Sequence, residues 1–417
     1  MSSVSCSTAS SNGGCRFIFQ AKTSIHSPSF IRIGTNSQSD RFCMHRFGLV
    51  NGTRKARGTS IRMALVDERQ STSKDVAEPP RILAYDLVQG ALVKWRWKED
   101  KSVPDTPTAV LLHGILGSGK NWANQTLIPA SLGTFARRLA HEFPTWQFLL
   151  VDLRCHGDSA SLKKRGPHSV ATTASDVLKL VGQLRLTPRV LVGHSFGGKV
   201  VLSMVEQAAK PLPRPVRAWV LDATPGKVRA GGDGEDHPRE LISFLRTLPK
   251  VVSIEGYDHL SSFIMETFTI FCSFSLKIVS SKREILNALL KEGFSNDVAQ
   301  WVVTNLRPTG PSCSSFSWTF DLDGISQLYQ SYEDTNLWNF VENLPRGVHV
   351  NFLKAERSLH RWALKDLQRI HAAEELATEE GAGVEMHVLE DAGHWVHTDN
   401  PDGLFRILSS SFQVLRT

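Results

Sequence analysis

Short apolar runs and amphipathic segments take turns along most of the chain. "TAVLLHG" (Thr108 to Gly114) is followed by the amphipathic "SLGTFARRLAHEF", "QFLLVDLR" by "ATTASDVLKLVGQL", and "RVLVGHS" by "GGKVVLSMVEQAA", before "VRAWVLDA" closes the first half. After a long irregular stretch the order resumes with "GVHVNFLKA", "LKDLQRIHAAEEL", "VEMHVLED" and a last helical segment from about Pro401 to Leu415. Apolar runs without strict alternation fit strands buried on both faces, and each trailing segment fits a covering helix. The pattern predicts an α/β fold with a mostly parallel central sheet and helices on both faces. Ahead of it, "RILAYDLV" and "ALVKWRW" alternate about Gln89-Gly90, which predicts a hairpin. A polar linker, 67–80, precedes the folded region, expected over 81–417.

The irregular stretch runs from about 224 to 345. Within it "PRELISFLRTLPK", "SKREILNALLKEGFSNDVAQWVVTNL" and "DLDGISQLYQSYEDTNLWNFV" read as amphipathic helices, the makeup of a lid inserted over a pocket. Trp301, Leu328, Tyr329, Trp338 and Phe340 are its candidates for contact with an apolar group, with core packing as the ordinary alternative for each. Residues 253–280 differ from their surroundings. Their apolar part, Phe263 to Val279, is 17 residues with Glu266 and Lys277 inside, short of the ~20 apolar residues of a membrane-spanning helix. No transmembrane span is predicted. Excision joins "LPKVVS" to "SKREILNALL" as one continuous helix, so the segment reads as a lineage-specific insertion or a translated intron. Transient contact of such a lid with lipid is the other reading.

Charge changes the picture at the N-terminus. Residues 1–66 hold nine Lys/Arg against the single acid Asp40, a local +8; the whole chain carries +7, which leaves the rest at −1. A near-neutral fold gives no reason to expect a nucleic-acid partner. With twelve Ser, five Thr and no sustained apolar core, residues 1–66 match a plastid transit peptide, with the mitochondrion as the alternative destination. Of the six cysteines, Cys155, Cys272 and Cys313 lie outside the leader, and their wide spacing suggests neither a disulfide framework nor a metal site. Cys155 is read as structural.

"VLLHGILGSGKNW" has two readings. Gly114 to Lys120 is most of a phosphate-binding loop, with Asp152 at the end of "FLLVD" as a second magnesium ligand; Asn121 stands where that loop needs Ser or Thr. Alternatively His113-Gly114 opens the backbone pocket of a hydrolase. "LVGHSFGG" favours the second. Gly193 to Gly197 is G-x-S-x-G between a strand and a helix, a turn that exposes the Ser195 hydroxyl above a helix N-terminus. "LEDAGHWVHTDNP" supplies His394, 199 residues later and in the last strand-to-helix loop, as a base for that hydroxyl. His397 is the competitor, expected to face the final helix.

"HGILGSGKNW", "VDLRCHGDS", "GHSFGGKV" and "DAGHWVHTDNP" together resemble the α/β-hydrolase superfamily, most of all its small lid-bearing esterase and thioesterase branch. The likeness runs from about Arg81 to the C-terminus. It implies an α/β-hydrolase sheet with an inserted helical lid, Ser195 as nucleophile, and the amides of Ile115 and Phe196 as oxyanion donors. His113 becomes structural, Lys120 a solvated loop charge or a residue at the pocket mouth, and Asp152, Arg154, His156 and Ser159 a loop-shaping motif. Most members take the triad acid from the loop after the strand that follows the lid, where this chain offers only Glu356. Some take it after the preceding strand, where this chain has Asp222, 27 residues beyond Ser195. Loop position favours Asp222, with Glu356 as the alternative.

The implied activity is cleavage of a small-molecule carboxylic ester or thioester through an acyl-enzyme, needing neither metal nor cofactor. Haloperoxidase, lyase and acyltransferase chemistry use the same elbow. The rival from another class is a non-catalytic small-ligand receptor or scaffold on the same fold.

Overall fold

The computed structural model describes residues 82–93, 105–123, 135–162, 164–208, 212, 215–228, 238–248, 251–253, 282–308, 315–358, 362–376 and 383–413. The predicted leader at 1–66 and the linker at 67–80 lie outside them. So do residues 254–281, which hold nearly all of the predicted insertion, and most of the second run of the predicted hairpin.

The main sheet is built from β1 (Tyr85–Gln89), β2 (Thr108–Leu112), β3 (Gln147–Val151), β4 (Pro188–His194) and β5 (Val216–Leu221), with two later strands described below. Between β5 and those strands the chain makes an excursion: β6 (Val251–Ser253), β7 (Leu306–Pro308) and β8 (Ser315–Trp318). The main sheet then resumes with β9 (Val348–Ala355) and β10 (Gly383–Leu389). Its order is β1-β3-β2-β4-β5-β9-β10. β1 runs antiparallel to β3, and the other neighbours run parallel.

The helices in chain order begin with α1 (Lys120–Ala123), α2 (Phe135–Glu142), α3 (Val170–Gln183) and α4 (Phe196–Gln207). The excursion holds α5 (Pro238–Thr247), α6 (Lys282–Glu292), α7 (Asn296–Val303), α8 (Leu322–Asp334) and α9 (Trp338–Glu342). The chain closes with α10 (Leu364–Leu376), α11 (Val396–Asp399) and α12 (Pro401–Ser409).

Every residue of β2 and β3 is buried. Successive side chains on a strand point to opposite faces, and here they feed two separate cores. Val110, Leu112, Leu149 and Val151 pack with residues of α3 and α4. Ala109, Leu111, Phe148 and Leu150 pack with residues of α2 and α12. This two-faced burial is what the unbroken apolar runs anticipated.

The excursion carries more than helices. β6, β8 and β7 form a three-stranded antiparallel sheet in that order, which the helical reading did not include. In the chain with this segment present, α5 ends at Thr247 and Val251–Ser253 pairs with Ser315–Ser317. Leu248 precedes a proline, which disfavours helix, and the two valines that follow favour a strand. Among the described residues no helix is long and apolar enough to cross a membrane.

Candidate active site

Parallel strands in one register bring distant residues to one edge. His194 lies opposite Leu221, and Leu221 opposite Leu353. The chain therefore leaves β4 and β5 side by side, at Ser195 and Asp222. Both adopt left-handed backbone, with φ 52° and 49°, a conformation that costs energy for a side-chain-bearing residue. Each is held there: the Ser195 amide donates to Leu221 O at 2.8 Å, and the Asp222 amide to Leu353 O at 2.7 Å. The turn at Ser195 needs its glycines. A Cβ on Gly193 would stand 2.1 Å from Gly197 O, and one on Gly197 2.7 Å from His113 O.

Asp222 is fully buried and its carboxylate is surrounded by donors. Oδ2 accepts from Nδ1 of His394 at 2.7 Å and from the Ser358 hydroxyl. Oδ1 accepts from the Ala355 amide and from Nε1 of Trp362, each at 3.2 Å. Such a set is what a buried carboxylate requires. The alternative acid Glu356 does not hold the imidazole. It is exposed, and its Oε2 accepts instead from the Asp391 amide at 2.9 Å, shaping the loop that leads to His394. The loop after β9 thus supplies donors to the carboxylate rather than the carboxylate itself.

Two more histidines stand behind His394. His194 donates from Nε2 to His394 O at 2.7 Å. Burial, reinforced by His394 and His397, pushes its pKa well below the ordinary value. His397, expected to face the final helix, instead lines the pocket, packed 5.1 Å from the Trp122 ring. Burial first, then His394, lowers its pKa to about 4, so it stays a neutral wall at ordinary pH.

The loops on the other side are cross-braced. His113 donates from Nδ1 to Gly114 O at 2.7 Å and accepts at Nε2 from the Leu153 amide at 3.0 Å. His156 donates from Nδ1 to Arg154 O and accepts at Nε2 from the Leu116 amide. Burial dominates the lowered pKa of both rings, and each bond pattern is that of a neutral imidazole. Asp152 accepts from the Gly119 and Asp158 amides, each at 2.7 Å. Ser159 donates to Asp152 O, and Arg154 grips Asp176 at 2.9 and 2.7 Å. The phosphate-loop reading fails here for a physical reason: a carboxylate already occupies an amide that a phosphate would need. Lys120 is exposed.

Ser195, His394 and Ile115 line one open pocket with about 810 Å³ of space, part of it continuous with solvent. Its apolar wall comes from the excursion, through Leu241 of α5, Val298 and Trp301 of α7, and Tyr329 and Tyr332 of α8. Trp301 meets Trp395, the neighbour of His394, edge to face at 4.2 Å. Of the five excursion residues singled out from sequence, Trp301 and Tyr329 reach the pocket. Leu328, Trp338 and Phe340 are core.

The sequence profile of the alpha/beta hydrolase family matches residues 109–407. The chain belongs to that family. It is 26% identical to the sn-1-specific diacylglycerol lipase ABHD11 of Mus musculus over 87% of this chain and 95% of the other. The Xenopus laevis protein of that name is 25% identical over 76% and 79%. Among solved structures, a marine microorganism esterase superposes with a TM-score of 0.54 at 19% identity, covering 79% of this chain and 99% of that one. The last likeness speaks for the fold alone. Family and lipase relatives together support hydrolytic chemistry.

In this hydrolase, several site residues had no signal in linear spacing. The second position of G-x-S-x-G is unconstrained by the motif, yet His194 holds the His394 backbone. Ser358 and Trp362 lie in a segment with no recognisable pattern. One further group draws together among the described residues: Cys155, His168 and Asp321 bring donor atoms within 4.8 Å of one another. Burial, then Asp321, pushes the Cys155 thiol up to about 12, so it stays protonated. Asp321 also caps α8 by accepting from the Gly324 amide at 3.1 Å. The trio links this loop to α8 by hydrogen bonds.

Proposed function

We propose that this protein is a serine hydrolase that cleaves a carboxylic ester or thioester with an apolar acyl group through an acyl-enzyme. The observation that carries the reading is the 2.7 Å bond from His394 to a buried Asp222 in the pocket that Ser195 also lines. With Nδ1 donating to the carboxylate, Nε2 of His394 is left to accept a proton. Ser195 Oγ attacks the acyl carbon while His394 takes its proton, and Asp222 stabilises the resulting imidazolium. The amides of Ile115 and Phe196 hold the oxyanion. In support, neither donates to an acceptor among the described residues, and first-turn helix amides such as that of Phe196 have no intrahelical acceptor. Collapse expels the alcohol or thiol with the proton from His394, and a water activated at the same nitrogen then releases the acid.

On this reading α5, α7 and α8 act as the lid, and their apolar wall receives the acyl chain. Residues 1–66 act as a plastid transit peptide, a proposal that rests on their basic, Ser/Thr-rich composition.

A fluorophosphonate probe tests the chemistry. The expected result is one adduct on Ser195 that is lost in Ser195→Ala, with turnover of at least one member of an ester and thioester panel. Folded wild-type protein that takes no label and turns over no panel member would favour the receptor reading.

A further inference from the structure

Lys199 sits on α4, four residues after Ser195, and is completely buried. Burying an ammonium is costly unless its donors are satisfied. Here three N–H donors meet three backbone carbonyls: Gly226 at 2.7 Å, Tyr332 at 2.6 Å and Thr335 at 3.0 Å. The same ammonium lies 4.5 Å from the centre of the Tyr332 ring, within cation–π range. A site that needed only volume would be filled at less cost by methionine or leucine, so the charge has a use.

The three acceptors say what it is. Gly226 follows Asp222 by four residues, in the turn after β5. Tyr332 belongs to the last turn of α8 and Thr335 caps it. Carbonyls at a helix C-terminus carry partial negative charge, which favours a cation there. Tyr332 in turn lines the pocket and packs against the rings of Phe196, at 6.1 Å, and Tyr329, at 5.9 Å. Ser195, Asp222 and His394 have separate bonds of their own.

We propose that Lys199 is a positioning residue that ties the helix behind Ser195 to the turn after Asp222 and to the end of α8, and so fixes Tyr332 as the acyl-side wall of the pocket. The inference rests on the proposed hydrolase chemistry. Burial draws the Lys199 pKa down to about 7 while Glu333 and Asp334 pull the other way, so the ammonium is held by these carboxylates as well as by its carbonyl acceptors.

The test compares kcat/KM of Lys199→Met with wild type on the acetyl and octanoyl esters of one alcohol, with circular dichroism to establish the fold. The octanoyl ester should lose at least tenfold more than the acetyl ester, chiefly through KM. Lys199→Gln, which keeps N–H donors, should recover part of the difference. A purely structural role would lower Tm and affect both esters alike, and that result overturns the proposal. If Lys199→Met fails to fold, Lys199→Gln and Tyr332→Leu carry the comparison; Tyr332→Leu leaves every carbonyl acceptor in place. Equal losses on the two esters again overturn it. Wild-type protein inactive on both esters and unlabelled at Ser195 would instead remove the hydrolase reading beneath it.

Discussion

Nδ1 of His394 and Oδ2 of Asp222 lie 2.7 Å apart across 172 positions of chain. That bond sets the tautomer and tilt of the imidazole. Under the proposed chemistry, Asp222→Asn keeps the shape but presents an amide that cannot stabilise the imidazolium. A loss of kcat of about 10³- to 10⁴-fold is expected in steady-state ester assays. Glu356→Gln should lose less than tenfold, since its amide oxygen still accepts from Asp391. The reverse ranking would reassign the acid.

The elbow glycines and a helical glycine should respond in opposite directions. Gly197→Ala forces a Cβ to 2.7 Å from His113 O and 2.8 Å from Leu112 O, both backbone atoms. It should lower Tm sharply or prevent folding. Gly182 lies in α3 with nothing within 4 Å of a built Cβ. Gly182→Ala should stabilise the fold by up to about 1 kcal/mol, since alanine restricts the unfolded chain and favours helix. Thermal melts of the two variants decide it; a fall in Tm for Gly182→Ala contradicts the argument.

Acid should weaken the fold through its buried rings. His156 and His194 have pKa values held well below 6.5, and His397 sits at about 4, burial being the main cause in each. The unfolded chain binds protons on these rings near pH 6.5 while the folded chain does not, so unfolding takes up protons. Stability therefore falls as pH drops from about 6.5 towards 4, by up to about 1.4 kcal/mol per pH unit for each ring. Urea midpoints at pH 7.5, 6.5 and 5.0 measure the slope. His397→Phe should make it shallower, and a flat profile would show these rings titrating freely.

Arg154 and Asp176 form a buried pair, each side chain 6% exposed, with Lys164 at 3.6 Å from the other carboxylate oxygen. Removing Arg154 leaves the buried carboxylate only the longer contact to Lys164, and takes away the donors to Pro167 O and Thr172 O. Arg154→Met should cost up to about 3 kcal/mol, below the full cost of an uncompensated buried charge because Lys164 remains, read from the urea midpoint. The double variant Arg154→Met with Asp176→Leu should recover much of that loss, because no buried carboxylate then lacks its close guanidinium partner. Equal stability of the single and double variants would rule out the carboxylate's lost guanidinium partner as the cause.

Much of this architecture is legible along the chain. Unbroken apolar runs such as Ala109 to Leu112 announce strands covered on both faces, and Gly193, Gly197 and Gly198 around Ser195 announce a tight strand-to-helix turn. These signals are local: side-chain periodicity and steric room act within a few residues of the position concerned, so they survive in the linear sequence. The order of motifs pointed to the loop that holds His394, the residue that bonds Asp222.

What the sequence left open, tertiary structure decided. Asp222 and Glu356 both follow strands, and only the register of β5 against β4 and β9 sets Asp222 beside Ser195 with Ala355, Ser358 and Trp362 as its donors. His194 and Lys199 gain their partners from His394, Gly226, Tyr332 and Thr335, up to 200 residues away. In the small sheet β6-β8-β7, β7 and β8 are sequence neighbours, but the pairing of Val251–Ser253 with Ser315–Ser317 joins segments far apart in the chain. Such partners are chosen by packing and by the need to satisfy every buried polar group at once, a condition on the whole folded molecule that no local window of residues records.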